Sequence, residues 1–512
     1  MKYIYGLALF CCIILWSSCR NDFETIANTG NLEFSRDTVY LDTVFTNIGS
    51  STYNLKVYNR SDDDITIPTI SLGEGQFSNY RLNVDGIPGK EFNDINILAN
   101  DSIFVFVETT LDIDNLPGND LNFLYTDQIL FDTGAIQQKV ELVTLVQDAV
   151  FLFPADLGNG MVETLNLGQD GEGNDILIEG FFLDDTELNW TNEKPYVIYG
   201  YAAVNTGKTL TVDAGARIHF HNGSGLLINE GGVMNVNGTP SADPELLENE
   251  VIFQGDRLEP DFENTPGQWG TIWFTNNSTG NTFTNATIKN SLIGLRVANS
   301  QIDLENVQIY NAAVSGLEAL TGTVNGQNMV INNCGQSSLT ISLGGNYEFN
   351  HCTFANYWSN SFRSFPTVSI NNAIDTGSEI LASSLVQANF NNCIIYGNEN
   401  LELGLFAVDD ASVLFNYELN NTLLRFNDTG NDFTNNPLYQ FDQAPYNNVV
   451  LNEDPAFFDS QLNDFNIEQN VSGAENIGDS SINGIVPVDL NGTSRATPPD
   501  AGAYESVVFP QG

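Results

Sequence analysis

At 512 residues, with 17 Lys and Arg against 65 Asp and Glu, the chain carries a formal net charge of −48 at pH 7. No basic patch is available to hold phosphates, so nucleic acid is excluded as a partner and an anionic lipid surface is disfavoured. Hydrophobic residues make up 42% of the chain, enough for a sizeable core and, at this length, for more than one domain.

Residues 1–19 hold one cation, Lys2, an apolar run from Ile4 to Trp16, and the end Ser17-Ser18-Cys19. The run is too short to span a bilayer comfortably and has the make-up of a signal peptide. Small residues before a Cys resemble the lipobox of bacterial lipoproteins. The resemblance implies a lipoprotein signal peptide over 1–19, with Cys19 as the lipid attachment site and the membrane as a partner through it. Asp22 and Glu24 resemble the surface-export signal of Bacteroidetes lipoproteins. An outer-membrane location is implied, with the periplasmic and the cell-surface face both open. No later segment is apolar enough to cross a membrane, and residues 20–30 read as a linker.

From 31 to 147, short alternating stretches (Val39 and Leu41, Leu55 and Val57, Ile65 and Ile67, then Ile103, Val105 and Val107) are separated by turn signals such as Asp85-Gly86 and Asn100-Asp101. That spacing predicts an immunoglobulin-like β-sandwich. Asp62-Asp63-Asp64 reads as a solvated turn, with calcium as the alternative. Residues 148–207 form a connecting or N-terminal capping segment. Within it, Asp170-Gly171-Glu172-Gly173-Asn174-Asp175 resembles an EF-hand loop, but Phe181 stands where the bidentate Glu belongs. An acidic turn is the better reading.

Residues 208–453 read as a solenoid, and from Phe283 to Leu424 one pattern recurs within it: apolar, any, turn former, small, any, apolar. It reads FTNATI from Phe283, LENVQI from Leu304, VNGQNM from Val324, FNHCTF from Phe349, FNNCII from Phe390 and LNNTLL from Leu419, with a degenerate INNA from Ile370. Starts 20 to 29 residues apart indicate stacked repeats. Asn285, Asn306, Gly326, His351, Asn372, Asn392 and Asn421 fill the third place, and such residues favour positive φ, so a left-handed bend is expected in every coil. Fourth and sixth places are two apart and point inward together, with Gln327 as the polar exception. The Leu-x-x-Leu-x-Leu of a leucine-rich horseshoe is missing.

These runs resemble the right-handed parallel β-helix of pectate-lyase-like proteins. Together with LTVDAGARIHFHN from Leu210, PGQWGTIWF from Pro266 and HCTFANYW from His351, they resemble a group of flavobacterial lipoproteins described only as containing right-handed β-helix repeats. The likeness covers about residues 150 to 505 and implies no established activity. DPAFFDSQLNDFNI from Asp454 and VDLNGTSRATPPDAGAYES from Val488 resemble the closing segment of secreted bacterial β-helix proteins, so 454–512 is expected to finish the last coils.

The fold class is therefore all-β, a sandwich followed by a β-helix. Catalytic residues are not assigned. Pectate-lyase-like enzymes use Lys or Arg as base and often bridge acidic sugars through calcium, and the solenoid's basic residues are few: Lys208, Arg217, Arg257, Lys289, Arg296, Arg363 and Arg425. Arg363 lies in an insertion with Tyr357, Trp358, Phe362 and Phe365, which reads as packing over the solenoid, with a sugar platform as the alternative. His219 and His221 are expected to point outward together, candidates for a metal if a third ligand joins them. The preferred function is a lipid-anchored binding or structural protein that presents a rigid β-helix to polysaccharide or another surface component. A polysaccharide lyase or glycoside hydrolase is the alternative, and calcium the one cofactor to be considered. Counting coils from Phe349 through Ile370 to Phe390 separates Cys352 and Cys393 by two coils, about 9.6 Å, too far for a disulfide. Buried free thiols are expected, with the partner of Cys334 open.

Overall fold

The computed structural model describes residues 25–116, 121–243 and 246–510. The signal segment and Cys19 lie outside the described residues. None of the described helices is long and apolar enough to cross a membrane. The protein is all-β, with large parallel sheets, and divides into two compact units, one ending at Asp148 and one starting at Ala149.

In the first unit two sheets share one core. One runs in the spatial order 26–27, 65–72, 122–131, 138–147, 38–45, with 91–97 also beside 65–72; the other runs 33–34, 53–58, 102–109, 80–84, 87–89. Most pairings are antiparallel, but 138–147 lies parallel to 38–45. Alternation puts Val39, Leu41, Leu55, Val57, Ile67, Val105 and Val107 inside, each essentially inaccessible. Asp85 and Asn100 take positive φ at the turns. Asp64 accepts the Ala99 amide at 2.8 Å and Asp62 the Asn100 side chain at 3.1 Å, so these acids pin a turn.

The second unit stacks parallel strands in three columns, an arrangement consistent with a β-helix. A representative coil runs through 301–305, turns at Asn306, continues through 307–312 and closes through 315–320. The turn column is Asn285, Asn306, Asn328, His351, Asn392, Asn421 and Asn448, with φ between 47° and 55°. The side chains in this column bond from coil to coil. Asn306 donates to Asn285 at 3.2 Å, Asn328 to Asn306 at 3.1 Å, and Asn392 to His351 Nε2 at 2.9 Å. Inside, each coil buries several large apolar side chains, worth roughly 1.5–3 kcal/mol apiece.

Three readings of the repeat are corrected by the strand register. Leu304 pairs with Gly326 and Gly326 with Phe349, so the third copy starts at Gly326 and its turn residue is Asn328. Gly326 faces inward, where a Cβ would stand 2.5 Å from Met329 Sδ and 2.7 Å from Phe349 Cδ1, and Gln327 points outward. Val324 misled because it too is inward, two residues earlier. Ile370 belongs to the third column, beside Ile341 and Leu405, and is not a copy of the repeat. Phe349 therefore pairs directly with Phe390, across an interval enlarged by the 357–367 insertion and a hairpin at 373–382. Consequently Cys352 and Cys393 stack in adjacent coils rather than two apart, both free and fully buried. A further copy, YNNVVL from Tyr446, pairs with the one at Leu419.

The parallel columns begin before the boundary expected at Lys208. Strands 150–152, 180–182, 189–190 and 196–198 already belong to them. At the far end the chain between Leu424 and Tyr446 packs Phe426, Phe433, Tyr439 and Phe441 together with ring centroids 4.9–6.3 Å apart against the last coils. The segment after residue 454 does not finish those coils. It runs back along the side as a strap, and Phe465, Ile467, Ala501, Ala503 and Tyr504 cover the outward apolar residues Val330, Ala355, Ile394 and Leu423. Asn421 and Asn448 donate to Ile477 O, Asn392 to Asp479 O, and Asn328 to Val488 O. Arg495, fully buried, holds Glu505 at 3.1 Å and Asn328 Oδ1 at 2.7 Å.

Candidate functional site

On the first column of strands, alternation turns every second residue outward, and register aligns those residues from coil to coil. One row runs Asn189, Thr211, Asn235, Thr282, Asp303, Asn325, Glu348, Asn389, Glu418. A second runs Asp213, Asn237, Thr284, Glu305, Gln327, Asn350, Asn391, Asn420, Asn447. Neither row holds a Lys or Arg. The face is a ladder of hydroxyls, amides and carboxylates at the strand spacing of roughly 4.8 Å.

Toward its C-terminal end the ladder is engaged with itself. Glu348 accepts from Gln387 at 3.0 Å, Asn389 at 3.3 Å and Asn391 at 3.0 Å, while Asn420 donates to Asn391 at 2.8 Å and Asn447 to Asn420 at 2.7 Å. In earlier coils the first row is likewise engaged, Thr282 bonding with Asn235 at 3.1 Å and Asn325 donating to Asp303 at 2.7 Å, but part of the second row is not. Thr284, Glu305 and Gln327 lie side by side and their side chains make no hydrogen bond with the described residues. They floor an open groove of about 480 Å³, overhung by Ile485 of the strap. Such a surface offers free donors and acceptors at regular spacing and no positive charge.

The residues singled out earlier are not brought together. His219 does lie on the outer side of its strand, but the chain following Gly255 folds over it, and a Cβ at Gly255 would lie 2.2 Å from Gln268 Oε1. His219 is 5% exposed, with Nδ1 3.2 Å from Gly255 O, and burial pulls its pKa down to about 4. His221 instead pairs through Nδ1 with Asp256 at 2.8 Å and stacks on Tyr199 at 4.5 Å. Both lie on the outer side, as alternation sets, but the next coil's chain covers His219 while His221 is paired with Asp256, so the two do not form an exposed pair. Among the described residues no three His, Cys, Asp or Glu are grouped to hold a metal ion.

The basic residues are likewise dispersed. Arg363 is buried against Glu402, with Nη2 to Oε1 at 2.7 Å and Nη1 to Oε2 at 3.0 Å, and it anchors the aromatic insertion. Trp358 is buried there, Tyr357 packs against Phe457 and Phe465, and Phe362 is 89% exposed. Arg296 lies over the Trp273 ring and is paired with Glu318 at 3.3 Å, whereas Lys289 is on another column, its pKa lowered by burial. Arg217 spends its guanidinium on backbone carbonyls of its own turn and of Leu246, Leu247 and Glu250.

No family model matches this chain. No curated protein matches it either. A solved structure described as a family 123 glycoside hydrolase from Clostridium perfringens, studied for glycolipid glycan hydrolysis, aligns at 12% identity over 22% of this chain and 25% of that one, with a TM-score of 0.16. The chain thus spans a quarter of that structure's length, and a likeness of that size carries no argument. Sequence reasoning missed the ladder, although its signal was present: the outward places of the repeat hold Asn, Thr, Gln, Asp and Glu and no cation.

Proposed function

We propose that the chain is a lipid-anchored cell-envelope protein whose second unit, a right-handed parallel β-helix of the pectate-lyase-like kind behind an immunoglobulin-like sandwich, binds an extended, uncharged glycan along its polar ladder. The observation carrying this reading is the row Thr284, Glu305, Gln327, whose side chains make no hydrogen bond with the described residues and line a groove, Glu305 exposed and Thr284 and Gln327 half-buried. Sugar hydroxyls both donate and accept, so they match amides and carboxylates, and a polymer repeats as the coils repeat. An anionic chain finds no counter-charge in either row. Anchorage is supported by the apolar run to Trp16 and by Ser17-Ser18-Cys19, and an outer-membrane location by Asp22 and Glu24.

Affinity electrophoresis through gels containing neutral and acidic polysaccharides tests the ladder. The full chain is expected to be retarded by a neutral polymer, and retardation is expected to vanish in the triple variant Thr284→Ala, Glu305→Ala, Gln327→Ala. Retardation unaffected by the triple change, or seen only with acidic polymers, overturns the reading. For the anchor, Cys19→Ala is expected to leave the membrane fraction, and unchanged association sinks that part.

A lyase remains the second reading, on one observation: Lys289 faces a hollow of about 260 Å³ with its ammonium unpaired among the described residues and its pKa lowered by burial. Release of unsaturated products from uronate polymers in the presence of calcium, abolished by Lys289→Ala, is what that reading requires.

A further inference from the structure

The strand register sets two thiols side by side. Asn350 pairs with Asn391 and Thr353 with Ile394, so Cys352 and Cys393 hold the same place in adjacent coils. Directly paired residues on stacked strands have Cα atoms about 4.8 Å apart, inside the range of roughly 4.4–6.8 Å that a disulfide spans. Both side chains point into the core, and each follows a left-handed residue, His351 and Asn392, at the same φ of 52°. Cys393 Sγ lies 3.3 Å from Asn391 O and 3.5 Å from Phe349 O. Phe349 belongs to the coil that holds Cys352, so the Cys393 side chain already reaches toward that coil.

Where the pair sits in the stack matters as much as its spacing. Copies of the repeat at Phe283, Leu304, Gly326, Phe349, Phe390, Leu419 and Tyr446 start between 21 and 29 residues apart, except for the step from Phe349 to Phe390, which takes 41. That step contains both the 357–367 insertion and the 373–382 hairpin. Closing a longer loop costs more chain entropy, so this joint is the most expensive in the series to close. Cysteines at the fourth place flank this step and no other, for elsewhere the place holds Ala286, Val307, Met329, Thr422 and Val449. A covalent link stabilises most where the loop it closes is longest.

We infer that Cys352 and Cys393 form a disulfide when the chain folds in the presence of an organic disulfide, and that the bond staples the coils on either side of the longest interruption. The Cys393 thiolate attacks the S–S bond of the oxidant and expels one thiol, and the Cys352 thiolate then displaces the second. Two cysteine S–H bonds and the oxidant's S–S bond break. One protein S–S bond and two thiol S–H bonds form, so two protons and two electrons end on the oxidant. In the finished fold both cysteines are inaccessible, and burial, with Cys352 adding to it, holds the Cys393 thiol far above its ordinary value. The exchange therefore takes place while the Phe390 coil is still docking, and the closed bond is afterwards out of reach of reductants.

Cys334 serves as the internal control. It is also fully buried, with its pKa pushed up to about 12, but it pairs with Ala312 in the preceding coil, and on the other side its amide donates to Asn356 Oδ1 at 3.0 Å. Neither the ladder nor the lyase reading enters this inference. The envelope location proposed above is where a disulfide oxidant is met.

The test is to refold the full chain from urea with oxidised glutathione, alkylate it in denaturant without reduction, and map the peptides by mass spectrometry. Cleavage at Glu348 and Glu379 puts Cys334, Cys352 and Cys393 on separate peptides. The Cys352 and Cys393 peptides are expected to be joined and Cys334 to be alkylated. In urea titrations the oxidised chain is expected to have an unfolding constant roughly several hundredfold below that of the reduced chain. That gap should vanish in Cys352→Ala and persist in Cys334→Ala, and alanine fits the place, since Ala286 holds it in another coil. Alkylation of all three cysteines, a glutathione adduct in place of the link, a link to Cys334, or equal unfolding of oxidised and reduced chains overturns the inference. Each of those results leaves the ladder and the anchor where they stand.

Discussion

Single residues decide the register of the solenoid, and Gly326 is the sharpest case. As an inward residue under the Phe349 ring it has no room for a Cβ, whereas as a turn residue it would accept Asn freely. Gly326→Asn is therefore expected to destabilise by about 1–3 kcal/mol through overpacking and a buried amide, and Asn328→Gly by well under that. Urea midpoints that reverse this order would move the third copy back by two residues. His351 shows the same column from another side. It holds a φ of 52°, accepts from Asn392, and burial with Arg495 nearby lowers its pKa to about 3. His219 is lowered to about 4. Both are neutral in the fold and bind protons more readily when unfolded, so their contribution is complete above about pH 6.5 and is lost as pH falls toward the folded values. Between pH 7 and 5 each is expected to cost about 2 kcal/mol at 1.36 kcal/mol per unit. Urea titrations of wild type against the double variant His351→Asn, His219→Asn check this: the acid-dependent loss should shrink in the variant, and equal losses would disprove it.

Elements that interrupt the repeat are held by buried charge rather than by apolar packing alone. The insertion 357–367 turns on Arg363, which bonds Glu402, Asn398, and the carbonyls of Asn356 and Phe365, while Glu402 also takes the Thr367 and Glu399 amides. Removing one partner strands a buried ion. Glu402→Ala is expected to cost about 3–5 kcal/mol, with the insertion becoming the first site of limited proteolysis. Replacing the pair together by Met and Leu is expected to recover most of that loss. A Glu402→Ala protein with unchanged unfolding midpoint and cleavage pattern would show that the pair does not hold the loop. The signal for this arrangement in the sequence was thin, one Arg among aromatics, and its acid lies 39 positions on.

For the whole molecule, the strap is the feature with the largest consequence. Val330, Ala355, Ile394 and Leu423 point out of the solenoid and are covered largely by residues after 454, with Tyr357 of the insertion beside them. A chain ended after Glu453 is expected to keep its strand content by circular dichroism but to associate, because it exposes a contiguous apolar face. Size-exclusion chromatography decides, and a monodisperse truncated protein would mean that the strap is dispensable. The outward apolar places at Val330, Ile394 and Leu423 could have announced this cover, since a solvated solenoid face would be polar there, as Thr284 and Glu305 are on the ladder.

What the sequence determined by itself is local: inward alternation two residues apart, the left-handed Asn or His that ends the first-column strands from Phe283 on, and hence parallel strands stacked by repeat. Those choices depend on φ and on side-chain polarity within six residues, so they are legible without neighbours. Which coil follows which was decided only by the tertiary structure. Ile370 opens a partial match to the pattern yet belongs to another column, because the length of chain looped out at 373–382 leaves no local mark. Exposure was decided the same way. His219 points outward by alternation and is buried by the segment after Gly255. Cys352 and Cys393, 41 positions apart, meet only because their coils are adjacent.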